Sequence, residues 1–380
     1  MYERRIAARW LFPVSSAPVR DGVLVVRGGR IAGIEPSGSR FDEHLGPVAL
    51  LPGLVNAHTH LDLSGARGRI VPTSPERFPE WLREVIAFRR ARTPGEVDAD
   101  VRAGIAECVR FGTTLVGDIS AGGASIPHLA EASLRAVPYF ELIGLDAAKV
   151  LAAYKPRAGS PVSPHAPYTV HRDAMPTLMR ERHATHVAES PGERELLEAR
   201  RGPFVPFLQS LGVWNADAFA PNWEGFLACD QAGPGLIVHG NYLPEAFPFR
   251  PNQTLVYCPR THAAFGHPPH PFRAFLRRGV RVCLGTDSLA SNPSLDVFAE
   301  AQLVRALHPD LPGDELLRMI TLAPAEALGF GDIAGSFDAG KSADAVAIPL
   351  RGDGDAYECL FAAEAGRPRW RMFRGAVDAT

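Results

Sequence analysis

Two hydrophobic patterns alternate along the chain. Short apolar runs recur eight times, at Leu51–Ala57, Thr113–Asp118, Val137–Ile143, Pro161–Ser163, Ala184–Val187, Leu236–Val238, Thr254–Cys258 and Val280–Leu284. Amphipathic stretches separate most of them: FPEWLREVIAFRRA, VDADVRAGIAECVRFG, IPHLAEASLRA, RDAMPTLMRER and HPFRAFLRRG. Apolar strands alternating with helices predict parallel pairing and an α/β fold. Eight such units predict a closed (β/α)8 TIM-like barrel with its active site at the C-terminal ends of the strands. The ends of the chain follow a different pattern. GVLVVRGGRIAGIEP alternates around Gly28-Gly29, a hairpin signal, and GSFDAGKSADAVAI and WRMFRGAV are strand-like again. Residues 1–50 and 335–380 are therefore expected to build one small sheet, a β-sandwich-like domain made from both termini, around a catalytic barrel over 51–334. Gly192–Ala232 is longer than a simple βα unit, and the stretch PGERELLEARRGPFVPFL, which opens it from Pro191, predicts a helix plus a loop that covers the active site.

Composition narrows the function classes. The net charge is −2, which leaves no electrostatic footprint for nucleic acid and no polybasic membrane patch. No run reaches the ~18 apolar residues of a membrane span, and MYERRIAARWLFP lacks the apolar core of a signal peptide. Cys108, Cys229, Cys258, Cys283 and Cys359 show no CxxC spacing, which fits reduced thiols and a cytoplasmic protein. The Gly-rich AGGAS at 121–125 lacks the Lys-Ser/Thr of a phosphate loop.

Ionisable residues close the apolar runs in order. His58 and His60 end the first, Asp118 the second, and His165 follows the fourth in SPHAPY. His186 and Glu189 close the fifth as HVAE, His239 the sixth, Cys258-Pro-Arg260-Thr-His262 the seventh, and Asp287-Ser288 the eighth. Histidines at i and i+2 of a strand share a face. Three imidazoles and a carboxylate around an open position suit a divalent ion such as Zn²⁺ or Fe²⁺. Such an ion lowers the pKa of a bound water towards ~7, and Glu189 is close enough in sequence to exchange its proton. Cys258 and Cys283 are read as core-filling, and Asp118 as structural.

The segments PGLVNAHTHLDLSG, SPHAPYTV, THVAES, VHGNYL, YCPRTHAAFG, CLGTDSLASNPSLD, TLAPAEALG and GSFDAGKSADAV together resemble the amidohydrolase superfamily, over nearly the whole chain. The likeness is to its aminohydrolase branch of nucleobase and nucleoside deaminases and triazine chlorohydrolases. The resemblance implies that His58, His60, His186 and Asp287 ligate one divalent metal, Zn²⁺ first and Fe²⁺ or Mn²⁺ as alternatives. It implies Glu189 as proton shuttle, His239 as hydrogen-bond partner of the nucleophile and reacting substituent, and Asp287 as ligand and catalytic group. Two-metal members often carry a carboxylated Lys on the fourth strand. Here His165 holds that position and Lys155 precedes the strand, so one metal is expected.

The resemblance, carried here by SPHAPY and HVAES, implies deamination of an adenine-type nucleoside, with 6-aminodeoxyfutalosine of menaquinone synthesis as the specific substrate. Its benzoate-like tail needs a cation, for which Arg67, Arg69, Lys149 and Arg260 are candidates. Expected substrate contacts are His165, Trp81 (ring stacking), Glu80 (sugar hydroxyls), Arg260, His262 and Ser288. The plain alternative for Trp81 and Glu80 is an amphipathic helix packing its aromatics inward. His262 stands where the branch commonly has Asn. His44, His128, His171, His183, His267, His270 and His308 are read as surface or structural. The alternatives are a chlorohydrolase-like or amidine/formimino hydrolase and a non-catalytic scaffold; the zinc base-editor motif H-x-E…P-C-x-x-C is absent. The partner is then a small molecule, with neither nucleic acid nor membrane, and the resemblance suggests a homodimer.

Overall fold

Eight parallel strands form one sheet in sequence order: Leu54–Thr59, Thr113–Ser120, Arg135–Leu142, Val162–Pro164, His183–Val187, Gly235–His239, Gln253–Tyr257 and Arg281–Leu284. The last strand returns to the first. The N–H groups of Thr286 and Asp287 donate to the His58 carbonyl (3.1 Å each), and Thr59 and Asp287 form a parallel bridge. The sheet thus closes into the (β/α)8 barrel, and its closure point is built from the segments that carry His58 and Asp287. The computed structural model describes residues 3–228, 233–362 and 368–378. Cys229 and part of Gly192–Ala232 lie outside them.

Strand residues with period two build the packing. Val55 and Ala57, Leu115 and Ile119, Val137 and Tyr139, Leu236 and Val238 join Ala184, Val256 and Cys283 in one buried cluster. Cys258 and Cys283 belong to it, as expected of core-filling thiols. On the other side Val116 packs with Val101 and Cys108 of helix Pro94–Arg110. That helix starts with a reciprocal capping box between Thr93 and Glu96.

The apolar run LLPGLVNA is divided at Gly53. Val48–Pro52 is a strand of another sheet, and the barrel starts at Leu54. Apolarity is continuous across both strands, so periodicity alone could not separate them. The termini make two sheets rather than one. Glu3–Ala7, Val23–Arg27, Arg30–Glu35 and Glu43–His44 form the first. In the second, Val48–Pro52 pairs antiparallel with Ala345–Pro349 and so ties the two ends of the chain together. Ile6, Leu24, Val26, Leu50, Ala345 and Met372 share one core between the sheets. The hairpin at Gly28-Gly29 forms as its sequence predicts. Both residues have positive φ (57° and 75°), and Arg27 faces Arg30 across the two-residue turn.

Three helical predictions shorten. IPHLAEASLRA is helical over Ile126–Glu131 and then enters strand three at Arg135. RDAMPTLMRER holds only a 3₁₀ turn and helix Met175–Leu178, and HPFRAFLRRG only helix Phe272–Arg277. The long connection after strand five is mostly helical, with Pro191–Ala199, Phe204–Ser210 and Trp223–Leu227. No helix among the described residues is long and apolar enough to cross a membrane.

Candidate active site

His58, His60, His186, Glu189, His239 and Asp287 come together at the C-terminal ends of strands one, five, six and eight, and all six are buried. One ligand atom each of His58, His186 and His239 lies within 4.8 Å of the others, and the same holds for His58, His60 and Asp287. The Nε2 atoms of His58 and His60 both stand 3.6 Å from Asp287 Oδ1. The Nε2 atoms of His60 and His186 face each other at 3.2 Å. His239 Nε2 is 3.3 Å from Glu189 Oε1.

Two of these residues, and Ala188 beside a third, sit on backbone that L-residues adopt at a cost. His239 (φ 69°), Asp287 (φ 57°) and Ala188 (φ 55°), between His186 and Glu189, are left-handed. Such conformations cost of order 1–3 kcal/mol each and persist where the surroundings over-determine them. At Asp287 those surroundings are visible. Thr59 Oγ1 donates to its carbonyl (3.0 Å), and Ser291 Oγ donates to its Oδ2 (2.9 Å). Below it, Asn56 and Thr286 exchange hydrogen bonds of 2.8 and 3.1 Å.

The protonation states suit a cation. Burial lowers the pKa values of His60, His186 and His239 well below the usual imidazole range, reinforced at His60 and His186 by neighbouring imidazoles. Asp287 behaves oppositely. Burial works against its charge, but His58, 3.6 Å away, and the other nearby imidazoles hold it down to about 2. Glu189 is raised well above the carboxylate range by burial, then by the charges of Asp287 and Glu193.

Ring nitrogens without partners test whether a metal fits. His58 Nδ1 and Nε2, His60 Nδ1 and His239 Nε2 are buried and have no hydrogen-bond partner. Leaving such atoms unsatisfied is expensive, and a divalent ion enclosed by them would satisfy those that face it. The His186 Nδ1–H donates to the His165 carbonyl (2.9 Å), which fixes the tautomer and leaves Nε2 with a free lone pair. Neutral imidazoles and an ionised carboxylate are the states in which these side chains bind metal. The donor set therefore fits one divalent ion.

Gly285 couples barrel closure to this cluster. A Cβ there would lie 2.9–3.1 Å from His58 Cβ, N and O. Gly285→Ala must displace the His58 backbone. It is expected to cost about 1–3 kcal/mol of stability and to lower metal retention on dialysis, read by thermal melts and elemental analysis.

Two cavities adjoin the cluster. The inner one, of about 40 Å³, is lined by His60, Trp81, His165, His186, Glu189, Asp287 and Ser288 among others. The outer one, of about 310 Å³, is walled mainly by apolar side chains of helix Phe78–Ala91 and helix Phe204–Ser210, with Arg89 and Arg90. Leu82, Val85, Arg89, His165 and Tyr168 line both. Trp81 is packed against Phe78 and Phe265, and its indole N–H is buried without a partner. The aromatic-inward helix and a pocket-lining Trp81 are thus one arrangement.

Several expected contacts lie elsewhere. Glu80 points outward, is exposed and pairs with Arg77 (2.5 Å); it is one helical position from Trp81 and so falls on another face. Arg260 donates to Ser294 Oγ (2.8 Å), and neither it nor His262 lines either cavity. His262 is buried beside Tyr257, His267 and His270. Of the proposed tail cations, Arg67 pairs with Glu107 and Lys149 with Asp146 (3.6 Å); Arg69, like these two, lines neither cavity. Arg89 and Arg90, which line the outer cavity, read in the sequence as the polar face of an amphipathic helix. Asp118 is structural, accepting from Leu61 N–H (2.9 Å) and Ser125 Oγ. His270, one of the histidines read as structural, donates from Nε2 to the His239 carbonyl (2.8 Å).

An eight-stranded barrel with a histidine–aspartate cluster at its strand ends is the architecture of a metal-dependent hydrolase. The chain belongs to the amidohydrolase family, whose pattern matches residues 49–365. The 5-methylthioadenosine/S-adenosylhomocysteine deaminase of Moorella thermoacetica is 28% identical, over 90% of this chain and 84% of the relative. The structure of Helicobacter pylori aminofutalosine deaminase in complex with methylthio-coformycin superimposes with a TM-score of 0.85 at 21% identity, covering 99% of this chain and 100% of that one. An adenosine deaminase from Xanthomonas campestris with bound zinc matches with a TM-score of 0.77 at 24% identity, over 98% and 92% of the two chains.

Proposed function

We propose that this protein is a mononuclear metal-dependent deaminase of an adenine-type nucleoside, with 6-aminodeoxyfutalosine of menaquinone synthesis as its substrate. The observation that carries the reading is the joint placement of Glu189 and His239, 3.3 Å apart, against the cluster of His58, His60, His186 and Asp287. In this reading those last four hold the ion, Zn²⁺ first as in the zinc-bound adenosine deaminase. When bound, the ion supplies Lewis acidity and makes water nucleophilic at neutral pH. Glu189, kept protonatable by burial, passes a proton to the departing amine, so that water and the aminopurine become the oxo product and ammonia. His239 is a neutral hydrogen-bonding group towards the reacting substituent. Trp81, His165 and Ser288 line the inner cavity that in this reading receives the reacting carbon.

The outer chamber supports a tail that is apolar in body. Arg89 is already held by Asp62 (2.8 and 3.2 Å) and Glu141 (3.3 Å), which satisfy its charge. Arg90 is exposed at the chamber and has no ion-pair partner among the described residues. A flat tail ending in a carboxylate would lay its ring on Leu82, Ile86 and Leu211 and its charge at Arg90. The cysteines described, Cys108, Cys258, Cys283 and Cys359, are unpaired and buried, which supports a cytoplasmic location.

The test is a panel of adenine nucleosides with varied 5′ substituents, followed by ammonia release and the ultraviolet shift from adenine to hypoxanthine. Turnover with a preference for the carboxyphenyl tail is expected. Arg90→Ala should raise KM for that substrate about fivefold, the worth of one exposed charge pair near 1 kcal/mol, and leave 5′-methylthioadenosine unaffected. No turnover on any member would remove the reading.

A further inference from the structure

Glu193 is fully buried, and its hydrogen bonds go to none of the four proposed metal ligands. It lies in the first turn of helix Pro191–Ala199, four residues beyond Glu189. Its Oε1 accepts the Ala188 N–H (2.8 Å) and the Trp223 indole N–H (2.6 Å), and its Oε2 accepts the Glu189 N–H (3.4 Å). A carboxylate completely removed from water is retained only where such donors compensate its desolvation. Two of the three donors belong to the peptide units that aim Glu189. One of them is Ala188, whose φ of 55° an L-residue rarely adopts. The third comes from helix Trp223–Leu227, at the far end of the connection after strand five. On the other side of the same segment, Asn241 Nδ2 donates to the Glu189 carbonyl (3.0 Å).

We propose that Glu193 is a positioning residue that locks the backbone at the left-handed Ala188 and at Glu189, and thereby aims the Glu189 carboxylate, while tying the connection after strand five to it through Trp223. The inference rests on the acid–base role given to Glu189 above. Removing the acceptor leaves the Ala188 N–H buried without a partner. The backbone then relaxes towards right-handed or extended conformations and the Glu189 carboxylate swings off the reacting atoms. A displacement of about 1 Å at such a group costs roughly 10²-fold in rate.

The experiment uses the metal-loaded full chain with 5′-methylthioadenosine as probe, together with amide hydrogen exchange of the segment spanning residues 186–193. Glu193→Ala is expected to lower kcat about 10²-fold, with KM within about threefold and metal content unchanged. Exchange should quicken at Ala188 and Glu189 while strands six to eight stay protected. Glu193→Gln keeps one acceptor for Ala188 and Trp223 but turns a donor towards the Glu189 N–H, so kcat should fall only about tenfold. If Glu193→Ala does not fold, Glu193→Gln carries the test alone. A folded variant with wild-type kcat overturns the proposal, as does a loss of activity that merely tracks loss of metal or of folded protein. If the wild type turns over neither 5′-methylthioadenosine nor any other nucleoside of the panel, the functional reading fails; unchanged exchange in the variants overturns the lock separately.

Discussion

Asp287→Ala is expected to strip the protein of its metal and to lower deamination by about 10³-fold. The side chain is buried, ionised and 3.6 Å from two imidazoles, so alanine removes the one formal negative charge among the four proposed ligands. Breaking a buried, compensated charge cluster typically costs 3–5 kcal/mol, and about 4 kcal/mol corresponds to that rate factor. Ser291, which donates to Asp287 Oδ2, offers a graded comparison: Ser291→Ala should weaken metal retention by about tenfold, the low end for groups supporting a ligand. Elemental analysis after dialysis, alongside ammonia release, measures both. An Asp287→Ala protein that keeps its full metal complement and its activity would refute the ligand assignment.

Glu189→Gln should separate catalysis from metal binding. The amide is isosteric and still faces His239, but it cannot carry the proton from nucleophile to leaving amine. General acid–base groups contribute about 10²–10⁴-fold, and a loss in that range is expected in kcat, with substrate affinity and metal content preserved. Single-turnover kinetics with the adenine chromophore give kcat and binding independently. Equal losses of metal and activity would instead make Glu189 a ligand.

The clustering of these side chains was readable in the sequence because it depends on strand ends. A barrel directs the C-terminal tip of every strand to one face, so His58, His186, His239 and Asp287 could be placed together from the order of apolar runs and the family resemblance. The outer chamber was not readable. Whether Trp81 or Glu80 faces it depends on the rotation of helix Phe78–Ala91 about its axis. Trp81 turned inward with Phe78 and Val85, while Glu80 faced solvent beside Arg77. Arg89 and Arg90 share that helix and look like its ordinary basic last turn until helix Phe204–Ser210 is packed opposite. Arg260 and His262 follow strand seven, but they turn towards Ser294 and towards the histidines of the same loop. Glu193 left a trace, a Glu at the start of a helix behind HVAE, yet first-turn carboxylates are common as helix-dipole partners. Only burial and its three donors set it apart.

The most direct measurement is anomalous diffraction at the metal edge from crystals of the protein as purified, with the ion identified by its absorption spectrum. A single peak enclosed by His58, His60, His186 and Asp287, with Glu189 and His239 beside it, is the expected result. Two peaks, or one peak outside that ring of side chains, would contradict a mononuclear centre.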